Sequence, residues 1–260
     1  MKRYMLLFCW LFAGGLPLLT FSVSAEETNE TSVLFIGNSF TYYNDLPAMI
    51  AALAREGGHK FVYQSETPGG CTFEKHWKDG KALIAINSRK WDFVVLQENS
   101  KRPFDAKDLM FEYGQKLNAE IIKQGGETLL YMTWAPPDSD KQPVITSAYQ
   151  ELAKELNAMV VPVGIVWNTA VHEHPEIGLF AEDNHHPSPA GTYLAACVFY
   201  ASIYGSSPEG LSVNVTGVKE AEALLIKKMA ATVIQNYPNE PASSEGNGFQ
   251  SSTEKIESRK

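Results

Sequence analysis

Short, unbroken apolar runs alternating with longer helical segments narrow the fold more than any other feature of this chain. Residues 33–36 (VLFI), 93–96 (FVVL), 128–133 (TLLYMT) and 159–163 (MVVPV) carry few polar interruptions, and 60–64 (KFVYQ) alternates. Between and after them, helical spacing is predicted over 46–55, 81–87, 107–123, 147–157, 165–172, 189–204 and 218–235. A strand covered on both faces has no solvent side to alternate with, so continuous apolar strands separated by helices specify a parallel sheet between two helical layers. The expected fold is therefore α/β: a three-layer, flavodoxin-like open parallel sheet of about five strands. Such sheets place ligands beyond the carboxyl ends of their strands, near the switch in strand order. That rule directs attention to Ser39, Asn99 and Trp134, each just past a strand end.

With 260 residues and 44% apolar content, the chain can build one sizeable core, expected over 31–237. A net charge of -8 argues against a nucleic-acid partner, which requires a basic surface; it leaves neutral substrates such as sugars open. Residues 1–25 read as an export signal: Lys2 and Arg3, a short apolar run, and Val23-Ser24-Ala25 before polar EETNE. Cleavage after Ala25 and a periplasmic or secreted location follow. The interrupted run is short for a membrane span, so no stable membrane insertion is expected after cleavage. The polar stretch 238–260 is expected to be disordered. Cys71 and Cys197 remain in the mature chain, either paired or simply buried, and no cysteine cluster suggests a structural zinc. Oligomeric state is not encoded in any pattern found.

Three segments carry chemistry-bearing residues. In FIGNSFTYY, Ser39 follows the first strand, and the next predicted helix starts near Asn44, too far on for Ser39 to cap it. In AEDNHHPSPAG, Asp183 precedes His186 by three residues. A tight turn there brings a carboxylate to the imidazole Nδ1–H, fixing the tautomer and leaving Nε2 as a base. A serine hydroxyl needs such a base to be nucleophilic at neutral pH. Ser188, with Pro189 at the first helical position, reads as the cap of the following helix. Donors for a developing oxyanion are offered by the Ser39 N–H, a glycine N–H of TPGGCT, and a side-chain amide of LQENS. Gly70 suits a close approach of backbone to ligand. Gln97 and Asn99 both follow a strand, with Glu98 between them as a solvent-facing loop carboxylate.

In this order, the segments resemble the blocks of the SGNH (GDSL-like) hydrolase superfamily. FIGNSFTYYNDLP resembles the serine block in a GNS rather than GDS form, PGGC the glycine block, VVLQENS the asparagine block, and DNHHP the D-x-x-H block. The resemblance runs from about residue 33 to 204 and is strongest to a bacterial branch of exported proteins. It implies Ser39 as nucleophile, His186 as general base and acid, Asp183 as its orienter, and the N–H groups of Ser39 and Gly70 with the Asn99 amide as the oxyanion hole. The third block departs from G-x-N-D, and Gln97 is the alternative to Asn99. The elbow G-x-S-x-G is absent, which disfavours an α/β-hydrolase.

Asn38, Tyr42, His76, Trp134 and His185 are candidates for substrate contact; Tyr42, Tyr43 and Trp134 could stack on a sugar ring or close the core edge. His172-Glu173-His174 has H-x-H spacing, but the segment does not read as a strand that would point both rings one way. No metal or cofactor is expected. The function expected from these residues is an exported serine esterase acting on a small-molecule or polysaccharide ester, with carbohydrate O-acetyl groups foremost. A lipid acyl esterase of the same fold and a non-catalytic carbohydrate-binding protein are the alternatives.

Overall fold

The computed structural model describes residues 30–213 and 215–236. The expected signal segment and polar tail lie outside them. Five strands form one sheet: β1 (Glu30–Ile36), β2 (Lys60–Glu66), β3 (Phe93–Leu96), β4 (Glu127–Tyr131) and β5 (Met159–Val161). Every pair is parallel and the order is β2-β1-β3-β4-β5, the flavodoxin-like order expected from the sequence.

The helices run in chain order: α1 (Ser39–Tyr42), α2 (Leu46–Glu56), α3 (Phe73–Asp79), α4 (Lys81–Asn87), α5 (Arg102–Asp105), α6 (Lys107–Lys123), α7 (Gln142–Leu156), α8 (Val163–Glu173), α9 (Pro189–Tyr204) and α10 (Glu220–Asn236). Alternate strand residues feed opposite cores. Val33, Phe35, Val95, Leu129 and Tyr131 pack against α2, α8, α9 and α10. Leu34, Ile36, Val94, Leu96 and Leu130 pack against α3, α4, α6 and α7. Helix α9 is buried almost all round, which explains an apolar run with no polar face.

Several boundaries differ from the sequence reading for local reasons. Helix α3 leaves little trace in the sequence pattern because FEKHWKD has only a weak apolar stripe. It forms because the Thr72 hydroxyl accepts the Lys75 N–H and Gly80, at φ 73°, ends it in the left-handed region. Helix α7 begins five residues before the expected 147, with Pro143 in its first turn. The Asp45 carboxylate caps α2 and Ser188 caps α9.

The switch in strand order falls at β1, whose neighbours β2 and β3 lead in opposite directions. Ile36, Glu66 and Leu96 stand in register, and Leu96 pairs with Leu130. Segments 37–39, 67–72, 97–99 and 132–134 therefore leave the sheet along one edge.

Candidate active site

Gly37 leaves β1 where the Gln97 amide lies across the chain. A Cβ at Gly37 would stand 2.6 Å from Gln97 Oε1 and 2.7 Å from Thr41 Oγ1, so only glycine permits this approach. Asn38 caps α1, its Oδ1 accepting the Phe40 N–H at 3.1 Å. Ser39 is the first residue of α1, where its hydroxyl projects from the start of the turn. Helix α1 is a local answer to the strand end that the sequence pattern does not reveal.

The second segment comes from 174–188. Asp183 Oδ1 accepts the backbone N–H groups of His185 and His186 at 3.0 and 2.9 Å, folding a tight turn in which Asn184 takes φ 54°. Asp183 Oδ2 then meets His186 Nδ1 at 2.5 Å. The imidazole Nε2 lies 2.8 Å from Ser39 Oγ, across 147 residues of chain. The hydroxyl donates to Nε2 while Nδ1–H donates to the carboxylate. The bond from the His186 ring, followed by the two backbone N–H groups, holds the Asp183 carboxyl well below the usual range. This hydroxyl–imidazole–carboxylate relay can move a proton from Ser39 onto His186.

The groups expected to receive an oxyanion lie on segments that touch one another. Asn38 Nδ2 donates to the Cys71 carbonyl at 3.0 Å, tying the serine segment to the glycine segment. Gly70 takes φ 65°, a conformation that favours glycine. Among the described residues, neither the Ser39 nor the Gly70 N–H has an acceptor. Asn99 Nδ2 stands 3.5 Å from the Gly70 carbonyl. The alternative, Gln97, is fully buried: Oε1 accepts the Asn38 N–H and the Thr41 hydroxyl at 2.9 and 3.0 Å, and Nε2 donates to the Glu98 carbonyl at 2.6 Å.

No family model matches the chain, and no curated protein matches it. Solved structures do. A protein of Slackia heliotrinireducens assigned to the SGNH hydrolases is 26% identical over 66% of this chain and 98% of its own, with a TM-score of 0.57. A DUF4886 family protein from Bacteroides uniformis is 18% identical over 81% of this chain and 96% of its own, with a TM-score of 0.66. An acetyl xylan esterase is 16% identical over 66% of this chain and 99% of its own, with a TM-score of 0.56. The chain has the SGNH-hydrolase fold.

Around that centre, several residues stand otherwise than expected. Trp134 is not a platform for a sugar: it is 2% exposed and stacked between Phe40 and Trp167, with ring centres 4.6 and 3.8 Å away. Its indole N–H donates to the His185 carbonyl at 3.3 Å, so it supports the histidine turn from beneath. His76 is buried, and its Nε2–H donates to the Gly37 carbonyl at 2.7 Å; burial holds its pKa below the usual imidazole value. Asn38 is likewise buried, with both ends of its amide used. These three hold the frame rather than offering surface to a substrate. Tyr42 is 48% exposed and its hydroxyl faces Gly69. His185 is half-buried, its ring 4.8 Å from those of both Phe40 and His186; burial, then the neighbouring His186, lowers its pKa.

Tyr43, which the sequence places only among core-edge or sugar-stacking aromatics, stacks on His186 instead. Glu98 is not a solvent-facing carboxylate; it is 1% exposed. His172 Nδ1 donates to the Asn168 carbonyl and His174 faces Glu176. Among the described residues, no group of three or more His, Cys, Asp or Glu side chains is placed to hold a metal. Cys71 and Cys197 are both buried and free, not paired with each other. No helix of the described residues is long and apolar enough to cross a membrane.

Proposed function

We propose that this protein is an exported serine esterase whose substrates are O-acetyl esters on carbohydrates. The observation that carries the reading is the paired contact at His186: 2.8 Å from Nε2 to Ser39 Oγ and 2.5 Å from Nδ1 to Asp183 Oδ2. Ser39 Oγ attacks the ester carbonyl carbon as His186 Nε2 takes its proton. The N–H groups of Ser39 and Gly70 and the Asn99 amide receive the charge that develops on the carbonyl oxygen. The intermediate collapses, the alcohol leaves with the proton from His186, and an acyl-serine remains. Water, deprotonated by the same nitrogen, releases the acid and restores Ser39.

The acetyl-carbohydrate assignment is supported by an acetyl xylan esterase among proteins of the same fold, and by an acidic chain that suits neutral rather than anionic substrates. The test is a panel of 4-nitrophenyl esters and acetylated xylan, run with wild type and Ser39→Ala. Release of acetate from the glycan, steep loss of rate with longer acyl chains, and a fall on the order of 10⁴–10⁶ in Ser39→Ala are expected. Equal rates in wild type and Ser39→Ala would remove Ser39 from the reaction; preference for long acyl chains would move the substrate to lipids. Export is tested separately by N-terminal sequencing of the periplasmic or secreted protein, which should begin at Glu26.

A further inference from the structure

The Glu98 carboxyl lies beneath the proposed anion-binding groups, almost wholly removed from solvent. Its Oε1 accepts the Asn99 N–H at 2.6 Å and the Phe73 N–H at 3.2 Å; Oε2 stands 3.3 Å from the same Phe73 nitrogen. Phe73 opens α3 and directly follows Gly69-Gly70-Cys71-Thr72. One carboxyl therefore joins the segment that carries Asn99 to the segment that carries Gly70, across a separation of 25 residues.

The connection extends to the nucleophile. Gln97 Nε2 donates to the Glu98 carbonyl, and Gln97 Oε1 holds the Asn38 N–H and the Thr41 hydroxyl on either side of Ser39. The Asn99 side chain has little holding of its own: Nδ2 reaches the Gly70 carbonyl at 3.5 Å and Oδ1 accepts the Lys101 N–H at 3.1 Å. Its aim is set by its backbone, and its backbone N–H is held by Glu98.

We propose that Glu98 is a positioning residue that locks the Asn99 amide and the Gly70 N–H into a single oxyanion-binding body. This inference rests on the esterase reading above. A cap for α3 alone does not account for a buried acid, because Thr72 already caps that helix and removing a carboxylate from water carries a penalty of several kcal/mol. Simultaneous reach to two backbone N–H groups on different segments does account for it. Arg102 and Glu74 act on it from α5 and α3, and it acts in turn on the Tyr149 hydroxyl of α7 and on the Cys71 thiol. Arg102 is engaged with Glu74 at 2.8 Å, so Glu98 has no ion pair of its own with it. Burial, opposed by the bonds from Asn99 and Phe73, pushes the carboxyl pKa up to about 7.

The test is a double-mutant cycle on 4-nitrophenyl acetate hydrolysis with Glu98→Ala, Asn99→Ala and the combined variant, alongside Glu98→Gln and Glu98→Asp. Glu98→Ala should lower kcat about 10²-fold, as loss of one oxyanion donor does, with KM within about threefold. Adding Asn99→Ala should then cost less than about threefold more, because the amide is already misplaced. Glu98→Gln should stay within about tenfold of wild type, since an amide oxygen can still accept both N–H groups. Losses that multiply, or a Glu98→Ala effect confined to KM, overturn the proposal. If circular dichroism shows Glu98→Ala unfolded, Glu98→Asp, too short to reach both nitrogens, carries the same cycle. A wild-type protein that cleaves no ester defeats the esterase reading; an active wild type with a multiplicative cycle defeats only the role of Glu98.

Discussion

The Tyr43 ring lies against the His186 imidazole, with 4.0 Å between ring centres and 5° between their planes. Phe40 meets the same imidazole edge-on at 5.7 Å. The histidine is therefore oriented by Asp183 in its own plane and by aromatic surfaces around it. Tyr43 also belongs to the turn that follows Ser39, so the segment bearing the hydroxyl supplies a wall for the imidazole it meets.

Removing that wall should misplace the imidazole without unfolding the protein. Tyr43→Ala is expected to lower kcat about tenfold or more, since small displacements of a proton-transfer partner are costly, and Tyr43→Phe to retain nearly full activity. Steady-state kinetics of the two variants decide it. Equal losses in both would assign the effect to the hydroxyl and not to stacking.

Asn44 fastens the same two segments on the other side. It takes φ 49°, and its Nδ2 donates to the Pro187 carbonyl and the Thr192 hydroxyl, both at 2.9 Å. Asn44→Gly keeps the backbone accessible but deletes both bonds, so unfolding free energy should fall by about 1–2 kcal/mol. Asn44→Asp should be worse, because it sets an acceptor against the Pro187 carbonyl. Denaturant unfolding ranks the three proteins; an Asn44→Asp protein as stable as wild type would show that the two bonds contribute nothing.

Much of this centre is legible in the sequence because its parts are local. Asp183 and His186 sit three residues apart, so a turn suffices to join them, and the apolar run 33–36 places Ser39 just beyond a strand end. Burial is harder to read. Trp134 follows a strand just as a surface aromatic would, and only the stacking of Phe40 and Trp167 on its two faces puts it inside. His76 and Glu98 are polar residues whose burial depends on backbone groups far away in sequence, at Gly37 for one and Phe73 for the other. Neither partnership leaves a periodic trace. The contacts that hold the Gln97 amide, to Asn38, Thr41 and Glu98, are likewise three-dimensional and leave no mark in the sequence.

Asp183→Asn separates orientation from charge. The asparagine Oδ1 can still accept the two backbone N–H groups that shape the turn, but its amide donates toward Nδ1 and favours the wrong tautomer. A loss of about 10³–10⁴ in kcat with a folded protein is expected. A stability difference should accompany it. The folded carboxyl of Asp183 lies below its unfolded value, so its contribution is present above the ordinary carboxylate range near pH 4 and is lost as pH falls further. Melting curves of wild type and Asp183→Asn should therefore converge in acid; a gap independent of pH would show that the carboxylate charge is not what the turn uses.

Glu98 should act in the opposite sense. Its folded pKa, about 7, stands above an ordinary value of 4.5, so the folded protein holds a proton that the unfolded chain has released between those limits. Stability from this group is complete below about pH 4.5 and declines as pH rises to about 7. The decline amounts to at most about 3–4 kcal/mol, taking ~1.4 kcal/mol for each pH unit between the two values. Glu98→Gln cannot ionise and should not show that decline. Denaturant unfolding between pH 5 and pH 8 should find wild type losing ground steadily against Glu98→Gln, with the change flattening above neutrality. Parallel stability curves across that range would mean that Glu98 titrates as it does in the unfolded chain. The bonds from the Asn99 and Phe73 N–H groups would then offset the effect of burial in full.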